Sequence, residues 1–304
     1  MAEGDASTSA SLLSIVIVNW NACDDLLRCL ASMEQHAPEC SWEAIVVDNA
    51  STDGSVERVR DELPWVRVIA NRTNRGLAAA NNQGLVASRA PFVLISNPDV
   101  VFRPGSVSAL IETLRCRGRA AFAVAKLVHP DGRVQPSAGD LPTVREALVG
   151  RRFAHRRGGQ RGFWWHDWSY DEERPIGHGG EACYLVRRQA LADIGPQDER
   201  FPLDWEGIEW ASRAAEAGWE VWFCPDAVVT HKGGTSVRQA PFRWIVSSHR
   251  GMYRYFSPRV SGWARPALGT AIGLRALLKL AATTVGGLHY ERAHLGRACD
   301  ASRA

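Results

Sequence analysis

LLSIVIV at residues 12–18 and AIVV at residues 44–47 decide the fold. Both are short runs of β-branched and aliphatic residues, which are typical of strands buried on both faces of a parallel sheet. A stretch with helical spacing of its leucines, residues 22–36, lies between them. Because strand and helix go on alternating as far as residue 117, the sequence predicts a doubly wound α/β fold.

The remaining elements follow from the same two periodicities, and the regular alternation breaks after residue 128. Strands are predicted at 12–18, 44–47, 66–70, 92–95, 122–128, 182–186, 221–223 and 227–230. Helices are predicted at 22–36, 56–63, 77–88, 106–117, 189–194, 206–217, 242–255 and 266–285. Residues 150–174 are predicted to form a loop that is first basic and then rich in tryptophan.

Length and composition exclude several classes of protein. The chain has 304 residues, of which 45% are hydrophobic and 23% charged, as in a globular protein and unlike a disordered or fibrous one. Its seven cysteines are scattered and include no CxxC pair. That pattern indicates a reduced cytosolic chain without a disulfide framework or a structural zinc site. Residues 1–11 are polar, which predicts a disordered tail and not a signal peptide.

Charge is distributed unevenly along the chain. Residues 232–304 carry a net charge of +10, whereas the rest carries −7. We divide the chain into the tail at 1–11, an α/β domain at 12–232 and a basic helical C-terminal segment at 233–304. The basic segment indicates an anionic partner, such as membrane headgroups, a phosphorylated substrate or nucleic acid.

The least polar stretch of the C-terminal segment, residues 266–290, is interrupted by Arg275 and Lys279. Because a spanning helix needs about 20 predominantly apolar residues, this stretch is a poor candidate for one. We therefore expect a cytoplasmic protein, soluble or peripheral on the inner face of the cytoplasmic membrane. The same stretch suits an interfacial helix, or a helix packed on the α/β domain or on a second subunit, so a homodimer stays open.

Polar residues follow each of the first four predicted strands. Because ligands bind at the carboxyl ends of strands in open α/β sheets, these residues are expected to meet in one site. Such a site suits a nucleobase and ribose and offers a carboxylate to Mg²⁺, which binds phosphate oxygens. No GxGxxG follows the first strand and no GxxxxGK[ST] occurs, which disfavours a dinucleotide dehydrogenase and a P-loop NTPase. The four segments are NWN (19–21), DNASTDG (48–54), NRTNRG (71–76) and SNPD (96–99).

Seven motifs carry a resemblance to a known family. They are VIVNWN (16–21), VVDNASTDGS (46–55), NRGLAAANNQG (74–84), SNPDV (96–100), GEACYLVRR (180–188), FPLDWEGIEWASR (201–213) and VVTHKGGTS (228–236). In this order and spacing the chain resembles glycosyltransferase family 2 over about residues 12–240. The resemblance implies an inverting enzyme that uses nucleotide-diphosphate sugars. It also implies the α/β GT-A fold, a doubly wound mixed sheet with a helical C-terminal segment. The layout is most similar to bacterial rhamnosyltransferases of cell-wall or polysaccharide assembly.

The resemblance implies a nucleoside pocket in which Asp48 accepts a hydrogen bond from the pyrimidine ring N–H. The residues expected in this pocket and beside the sugar are Asn19, Asp48, Ser51, Asn74, Gly76, Asn81, Asn97 and Asp99. Asn97 and Asp99 match the two ends of the DxD motif. The neutral Asn97 is expected at the ribose, whereas Asp99 is expected to bind Mg²⁺ or Mn²⁺ with the diphosphate.

His231 matches a family histidine near the diphosphate and is expected to be a second metal ligand. Each assignment has a structural alternative. Asp48 and Asp53 are also suited to cap the following helix. Asp99 is also suited to a turn, and His231 to a hydrogen-bonded position at a strand end.

The sequence departs from the family at the catalytic base. Family members usually have Glu-Asp before the helix that carries the base, and the Asp deprotonates the acceptor hydroxyl. Here Gly207 occupies that position. A transfer with inversion still needs a group about 2.6–3.2 Å from the attacking hydroxyl. Glu206, for which Gly207 leaves room, is the first candidate and Asp204 the second; the third option is that no base is present.

Two hypotheses follow from the resemblance. In the first, the chain transfers a sugar, L-rhamnose from dTDP-rhamnose, to a hydroxyl of a glycan or a polyprenyl-diphosphate-linked acceptor, with help from Mg²⁺ or Mn²⁺. In the second, it is a catalytically silent relative that binds nucleotide-sugar or glycan as a regulatory partner. The basic and aromatic loop at 150–174 suits a lipid-diphosphate acceptor at a membrane surface. Nucleic acid is not expected as a partner, because aromatic residues are not interleaved with the basic ones.

Overall fold

The structure, a computed structural model, describes residues 12–149, 163–201, 203–233 and 240–301. The predicted tail at 1–11 and the basic half of the predicted loop, residues 150–162, lie outside the described residues. The tryptophan-rich half of that loop is described, and it packs on the α/β domain: Trp165 is buried and its ring meets that of Trp168.

The elements alternate as the sequence predicts over the first half of the chain. The strands are β1 (Leu13–Asn19), β2 (Trp42–Asp48), β3 (Val66–Ala70), β4 (Phe92–Ser96), β5 (Val100–Phe102), β6 (Ala120–Val128), β7 (Ala138–Gly139), β8 (Arg174–Ile176), β9 (His178–Gly179), β10 (Cys183–Arg187) and β11 (Glu220–His231). The helices are α1 (Cys23–Gln35), α2 (Ser55–Glu62), α3 (Leu77–Ala87), α4 (Ser106–Cys116), α5 (Val144–Val149), α6 (Leu191–Ile194), α7 (Glu206–Glu216), α8 (Pro241–Phe256) and α9 (Arg265–Ala301).

A mixed sheet forms the centre of the molecule, with strand order β3-β2-β1-β4-β10-β6-β11-β5 and β8 paired to β11. Strands β3, β2, β1 and β4 run parallel to one another. Strand β10 runs antiparallel to β4 and β6, and β11 runs parallel to β6 but antiparallel to β5. The predicted mixed α/β sheet is confirmed. Because Asn19 pairs in register with Asp48, the ends of β1 and β2 are level.

Strand β1 is buried on both faces, as its composition predicts. Ile15 and Ile17 join a core cluster with residues of α1 and α4. Val16 and Val18 join a second cluster with residues of α3 and α7. The side chains of β1 therefore join the two core clusters alternately, because successive side chains of a strand point to opposite faces of the sheet. Helix layers on both sides of the sheet follow from this.

The C-terminal helices α8 and α9 form a third core cluster with the segment that precedes α7. Trp205, in that segment, packs against Tyr255 and Phe256 of α8 with ring centroids 5.4 and 5.6 Å apart. A Cβ atom at Gly251 of α8 would lie 2.9 Å from the Trp205 ring. Helix α8 is thus part of the same packed body as the α/β domain.

Several elements differ from the sequence-based boundaries. The two short strands predicted at 221–223 and 227–230 are one strand, β11, whose pairing with β6 is irregular between Cys224 and Val228. Strands β5, β7, β8 and β9 and helix α5 were not predicted, because each has only two to six residues and no visible periodicity. Helix α9 continues beyond the predicted end at residue 285.

Within the described ranges, no helix combines the length and the apolar character needed to cross a membrane.

Candidate active site

A cleft of about 890 Å³ opens at the carboxyl ends of the parallel strands. The loops after β1, β2, β3 and β4 all contribute to its wall, as the sequence predicts for an open α/β sheet. The opposite wall comes from the loop between β9 and β10, the turn before α7, and helix α8. Of the predicted site residues, the cleft is lined by Asn74, Gly76, Asn97, Asp99, Asp204, Glu206 and His231.

Asn19, Asp48 and Ser51 form a hydrogen-bonded group directly behind this wall. The Asn19 side-chain amide donates to Asp48 Oδ1 at 2.9 Å, and the Ser51 hydroxyl donates to the same oxygen at 2.6 Å. The Ser51 backbone N–H donates to Asp48 Oδ2 at 2.9 Å. Asp48 is buried. The three residues are therefore together, with the Asp48 carboxylate already bonded to its two neighbours.

Asn49 is the neighbour of Asp48 that reaches the cleft. Its side-chain amide donates to the Gly76 carbonyl at 3.1 Å. Its Oδ1 accepts from the Asn71 amide at 3.1 Å and from the Arg75 backbone N–H at 3.2 Å. Sequence reasoning did not assign Asn49 a role, although it stands inside the quoted DNASTDG segment. Through these hydrogen bonds, Asn49 connects the end of β2 to the loop before α3.

Asn74 and Gly76 line the cleft, whereas Asn81 does not. Asn74 Oδ1 accepts from the Gly76 backbone N–H at 3.0 Å, and Gly76 begins α3 with φ +87°, a conformation that favours glycine. Asn81 is buried and donates to Gln197 Oε1 at 3.0 Å. Asn81 thus lies outside the lining of the cleft, and its expected place beside the base or ribose stays a prediction.

Asp99 and His231 meet at the end of the cleft. His231 Nε2 lies 3.3 Å from Asp99 Oδ1, and the Gly233 backbone N–H donates to Asp99 Oδ2 at 3.0 Å. Strands β5 and β11, which pair through Val100 and His231, fix the two residues beside each other. Burial raises the pKa of Asp99, but its hydrogen bonds and charge interaction with His231 outweigh this, so the pKa of the carboxyl lies below its usual range.

The chemistry of this pair fits a divalent cation bound with a diphosphate. His231 Nδ1 lies 2.9 Å from Gln135 Oε1, so an N–H at Nδ1 can donate to Gln135, and Nε2, which bonds to the Asp99 carboxylate in this structure, would become a metal ligand once its proton is lost. Metal-binding histidines commonly use their second ring nitrogen in this way. Among the described residues there is no group of three or more His, Cys, Asp or Glu side chains with metal-binding geometry. Mg²⁺ typically takes one or two carboxylates and completes its shell with phosphate oxygens and water.

Three carboxylates cluster on the other wall, at the start of α7. Glu206 is 1% exposed. Asp204 precedes it with φ +68°, and its Oδ2 accepts from the Ser248 hydroxyl of α8 at 2.5 Å. The third carboxylate, Glu181 of the β9–β10 loop, also lines the cleft, and sequence reasoning missed it. Residues 181 and 206 are far apart in the chain, so only the fold brings them together.

The Glu181 side chain, and not that of Glu206, occupies the space beside Gly207. A Cβ atom built on Gly207 would lie 2.5 Å from Glu181 Cδ and 2.6 Å from Glu181 Oε1. The expectation that Gly207 leaves room for the Glu206 side chain is therefore wrong. The Glu206 side chain is buried, and its carboxyl lies within hydrogen-bonding range of the Glu181 carboxyl.

The carboxylates at this wall cannot all be ionised together at low cost. Burial and then the negative charge of Asp204 raise the pKa of Glu181 to about 7. Burial and then the negative charge of Glu181 raise the pKa of Glu206 well above its usual range. Like charges close together in a buried site disfavour double ionisation. At neutral pH, Glu206 therefore holds its proton and Glu181 is the carboxyl that exchanges one.

A nucleotide-sized cleft at the strand ends, with an Asp–His pair on one wall and carboxylates on the other, defines the class: a GT-A glycosyltransferase. The fold supports this class. The chain matches a mannosyltransferase from Pyrobaculum calidifontis, solved with GDP-Man and Mn²⁺, with TM-score 0.56 at 16% identity over 95% of this chain and 81% of that one. It also matches GalNAc-T7, solved with UDP, GalNAc and Mn²⁺, with TM-score 0.54 at 16% identity over 74% of this chain and 44% of that one.

The chain belongs to glycosyl transferase family 2, whose model matches residues 14–173. It is 31% identical over 276 residues to the N-acetylglucosaminyl-diphospho-decaprenol L-rhamnosyltransferase of Mycobacterium tuberculosis, covering 84% of this chain and 88% of that protein. A shorter match, 32% identical over 127 residues, is to the succinoglycan biosynthesis protein ExoO of Rhizobium meliloti, over 40% of this chain and 35% of that protein. The predicted family is confirmed: the protein is an enzyme, a glycosyltransferase that uses a nucleotide-sugar donor.

Proposed function

We propose that this glycosyltransferase moves L-rhamnose from dTDP-rhamnose to a hydroxyl of a polyprenyl-diphosphate-linked glycan, with inversion and with Mg²⁺ or Mn²⁺. The observation that carries the proposal is the single cleft whose walls hold the Asp99–His231 pair on one side and ionisable carboxylates on the other. The 31% identity to a mycobacterial enzyme named as a decaprenol-linked rhamnosyltransferase supports the donor sugar and the lipid-linked acceptor.

The nucleoside is proposed to bind between the β1 and β3 loops. Val18, Trp20 and Leu77 supply apolar surface on this side of the cleft. The hydrogen bond from Asn49 to the Gly76 carbonyl holds the loop before α3 in place. The hydrogen-bonded group of Asn19, Asp48 and Ser51 lies behind this surface, where Asp48 is proposed to accept from the pyrimidine ring N–H in addition to its bonds from Asn19 and Ser51. These side chains are oriented before ligand arrives, which reduces the entropy lost on binding.

Asp99 and His231 would hold the divalent cation, which when bound supplies positive charge to the leaving diphosphate. The chain's own groups have separate roles. Gln135 orients His231 through Nδ1, and the Gly233 N–H holds the Asp99 carboxylate. The acceptor hydroxyl is proposed to enter between the carboxylate cluster and α8, where a carboxylate takes its proton.

The acceptor side of the cleft carries both aromatic and basic groups of α8. Phe242 and Trp244 line it together with Arg250 and Arg254. Charged guanidinium groups bind phosphate oxygens well, and apolar rings suit the first isoprene units. This combination supports a lipid-diphosphate acceptor over a free sugar.

The outward face of α9 supports membrane-surface binding in the same proposal. Leu274, Leu277 and Leu278 are 57%, 63% and 73% exposed, and the helix belongs to the basic segment of the chain. Exposed leucines next to basic residues suit the interface of an anionic bilayer. Co-sedimentation of the full chain with phosphatidylglycerol vesicles at low salt is expected, and Leu277→Glu/Leu278→Glu is expected to weaken it. A chain that stays in the supernatant at low salt contradicts this part. The homodimer stays a prediction that sedimentation velocity decides.

The direct test of the function is a panel of nucleotide-sugars given to the purified full chain with Mn²⁺ and a short polyprenyl-diphosphate-GlcNAc. Nucleoside diphosphate release and product mass are measured. We expect turnover with dTDP-rhamnose above all other donors and only when the acceptor is present. If a different nucleotide-sugar is turned over instead, its sugar and not rhamnose is the group that the enzyme transfers. Nucleotide binding without turnover of any donor would support the alternative of a catalytically silent relative.

A further inference from the structure

The chain has a carboxylate in the place that a side chain at position 207 would occupy. A Cβ atom at Gly207 would meet three atoms of Glu181 at 2.5–2.6 Å. That distance is shorter than a relaxed contact between non-bonded atoms, so a side chain at position 207 and Glu181 in its present position exclude each other. Position 207 is also where the resemblance to the family implies a catalytic aspartate. The acidic group is therefore present at that place, but the chain supplies it from the β9–β10 loop.

Glu181 is held in position by the start of helix α7. The Gly207 backbone N–H donates to Glu181 Oε1 at 3.1 Å. Trp205, the residue that precedes the helix, has no side-chain capping bond, so Glu181 satisfies one of the N–H groups that a helix leaves unpaired. The N-terminal end of a helix also stabilises negative charge. Within the part of the chain that the structure describes, no lysine or arginine is bonded to this carboxylate.

The three acidic side chains of this wall differ in access. Glu206 is buried in the protein. Asp204 is partly exposed but accepts a 2.5 Å hydrogen bond from Ser248. Glu181 is partly exposed and lines the cleft, while the start of α7 and Glu206 bond to its carboxyl. Glu181 is therefore the member of the cluster that can face an incoming hydroxyl.

We propose that Glu181 is the general base of this transferase, presented to the acceptor hydroxyl by the N-terminus of α7 in the space that Gly207 leaves open. The inference rests on the proposed function. In the step, the acceptor O–H proton moves to a Glu181 oxygen while the acceptor oxygen forms the bond to the anomeric carbon. The bond from that carbon to the diphosphate breaks, and its electron pair leaves with the nucleoside diphosphate.

The protonation state of the cluster agrees with this role. The titratable groups around Glu181 are Asp204, whose charge raises its pKa, Glu206, which hydrogen-bonds to it, and the buried Tyr184. The pKa of Glu181, raised to about 7 by burial and by Asp204, lies near the pH at which a general base is most effective. Glu206 stays protonated beside it and so does not compete for the proton.

The test compares Glu181→Gln with Glu206→Gln in the full chain, and Glu216→Gln on the far end of α7 is the matched control. Glutamine keeps the shape of Glu181 and its bond from Gly207 but cannot take a proton. We expect kcat of Glu181→Gln to fall on the order of 10²–10⁴-fold, with KM for the donor unchanged. Glu206→Gln is expected to lose much less, and Glu216→Gln to keep the wild-type rate.

The pH profile separates a base from a residue that only supports the fold. Wild-type kcat/KM is expected to rise with pH through an acid limb near pH 7, because the deprotonated Glu181 is the active form. This limb is expected to vanish in Glu181→Gln, whose residual rate no longer depends on that group. A nucleotide titration of each variant confirms that the donor site is folded.

The outcomes distinguish this inference from the proposed function. If the wild-type chain transfers sugar and Glu181→Gln keeps its rate and its acid limb, Glu181 is not the base and only this inference falls. If Glu206→Gln loses more activity than Glu181→Gln, the base is Glu206. If the wild-type chain transfers no sugar from any donor, the proposed function and the inference fall together.

Discussion

The two walls of the cleft are built in opposite ways. On the donor wall, polar side chains bond to each other: Asp48 holds Asn19 and Ser51, and Asn49 holds the loop before α3. On the acceptor wall, carboxyls lie close together, and burial and mutual repulsion raise the pKa values of Glu181 and Glu206. Carboxyls with raised pKa values concentrate where proton transfer occurs. The comparison indicates that one wall binds and the other reacts.

The largest effect is expected from Asp99→Asn, because Asp99 supplies the negative charge at the diphosphate end of the cleft. Transfer should fall on the order of 10²–10³-fold. The rise in Tm that Mn²⁺ plus dTDP gives the wild-type chain should disappear, and thermal shift measures it. Asp131→Asn is the control, since Asp131 is paired only with its exposed neighbour Arg133. A variant that keeps both turnover and the Mn²⁺-dependent shift would remove Asp99 from the metal site.

Gly207→Ala is expected to disturb the acceptor wall and to leave the donor wall intact. Its Cβ would collide with the Glu181 side chain, and displacing a reacting group by about 1 Å can cost about 10²-fold in rate. The donor wall is untouched, so nucleotide affinity should stay at the wild-type value in a titration. Gly118→Ala is the matched control, because nothing lies within 4 Å of a Cβ there. Unchanged kcat in Gly207→Ala would contradict the close contact with Glu181.

Asn49→Ala tests the donor wall alone. The substitution removes the bonds to Gly76 and Arg75 that hold the loop before α3. Loss of such bonds costs about 1–1.5 kcal/mol, or roughly tenfold in affinity. We expect the Kd for dTDP to rise by about this factor while the acid limb of kcat/KM near pH 7 stays in place. A shifted limb with unchanged Kd would mean that the two walls do not act separately.

The smallest effect is expected on stability, from Glu206→Gln. The pKa of Glu206 is raised in the folded state by burial and by Glu181. Above its unfolded value the folded chain therefore binds more protons than the unfolded chain. The free energy of unfolding then decreases as pH rises across that window. Glutamine does not ionise, so Glu206→Gln is free of this pH-dependent loss of stability. Its Tm at pH 8 should therefore exceed that of wild type by about 2–4 °C for each kcal/mol of unfolding free energy regained. Calorimetry at pH 8 and pH 4 checks this, and a gain at pH 4 alone would contradict it.

The donor wall was largely predictable from the sequence, and the acceptor wall was not. The apolar runs at 15–18, 44–47 and 92–95 mark strands β1, β2 and β4, so the ends of β2 and β4 place Asp48 and Asp99 without knowledge of the rest of the fold. Glu181 gives no such signal, because its role depends on a contact with Gly207, 26 residues later. The burial of Asn81 against Gln197 was not predictable either, because motif membership does not fix the face of α3 to which a side chain points.

The contacts that α8 makes with the cleft could not be predicted from the sequence either. The helix was predicted, with its boundaries within one residue, but amphipathic spacing does not identify the surface that it covers. Ser248 reaches Asp204, and Arg250 faces the cleft. Both relationships depend on how the chain returns across the α/β domain after β11.

Gly251 limits what evolution or engineering can do with the C-terminal segment. A side chain there would lie 2.9 Å from the Trp205 ring and 3.1 Å from the Asp204 carbonyl oxygen. Helix α8 therefore cannot be exchanged for the corresponding helix of another transferase as an independent module. A chimera that grafts a new acceptor specificity onto this chain must carry the turn at 204–205 and the helix across together.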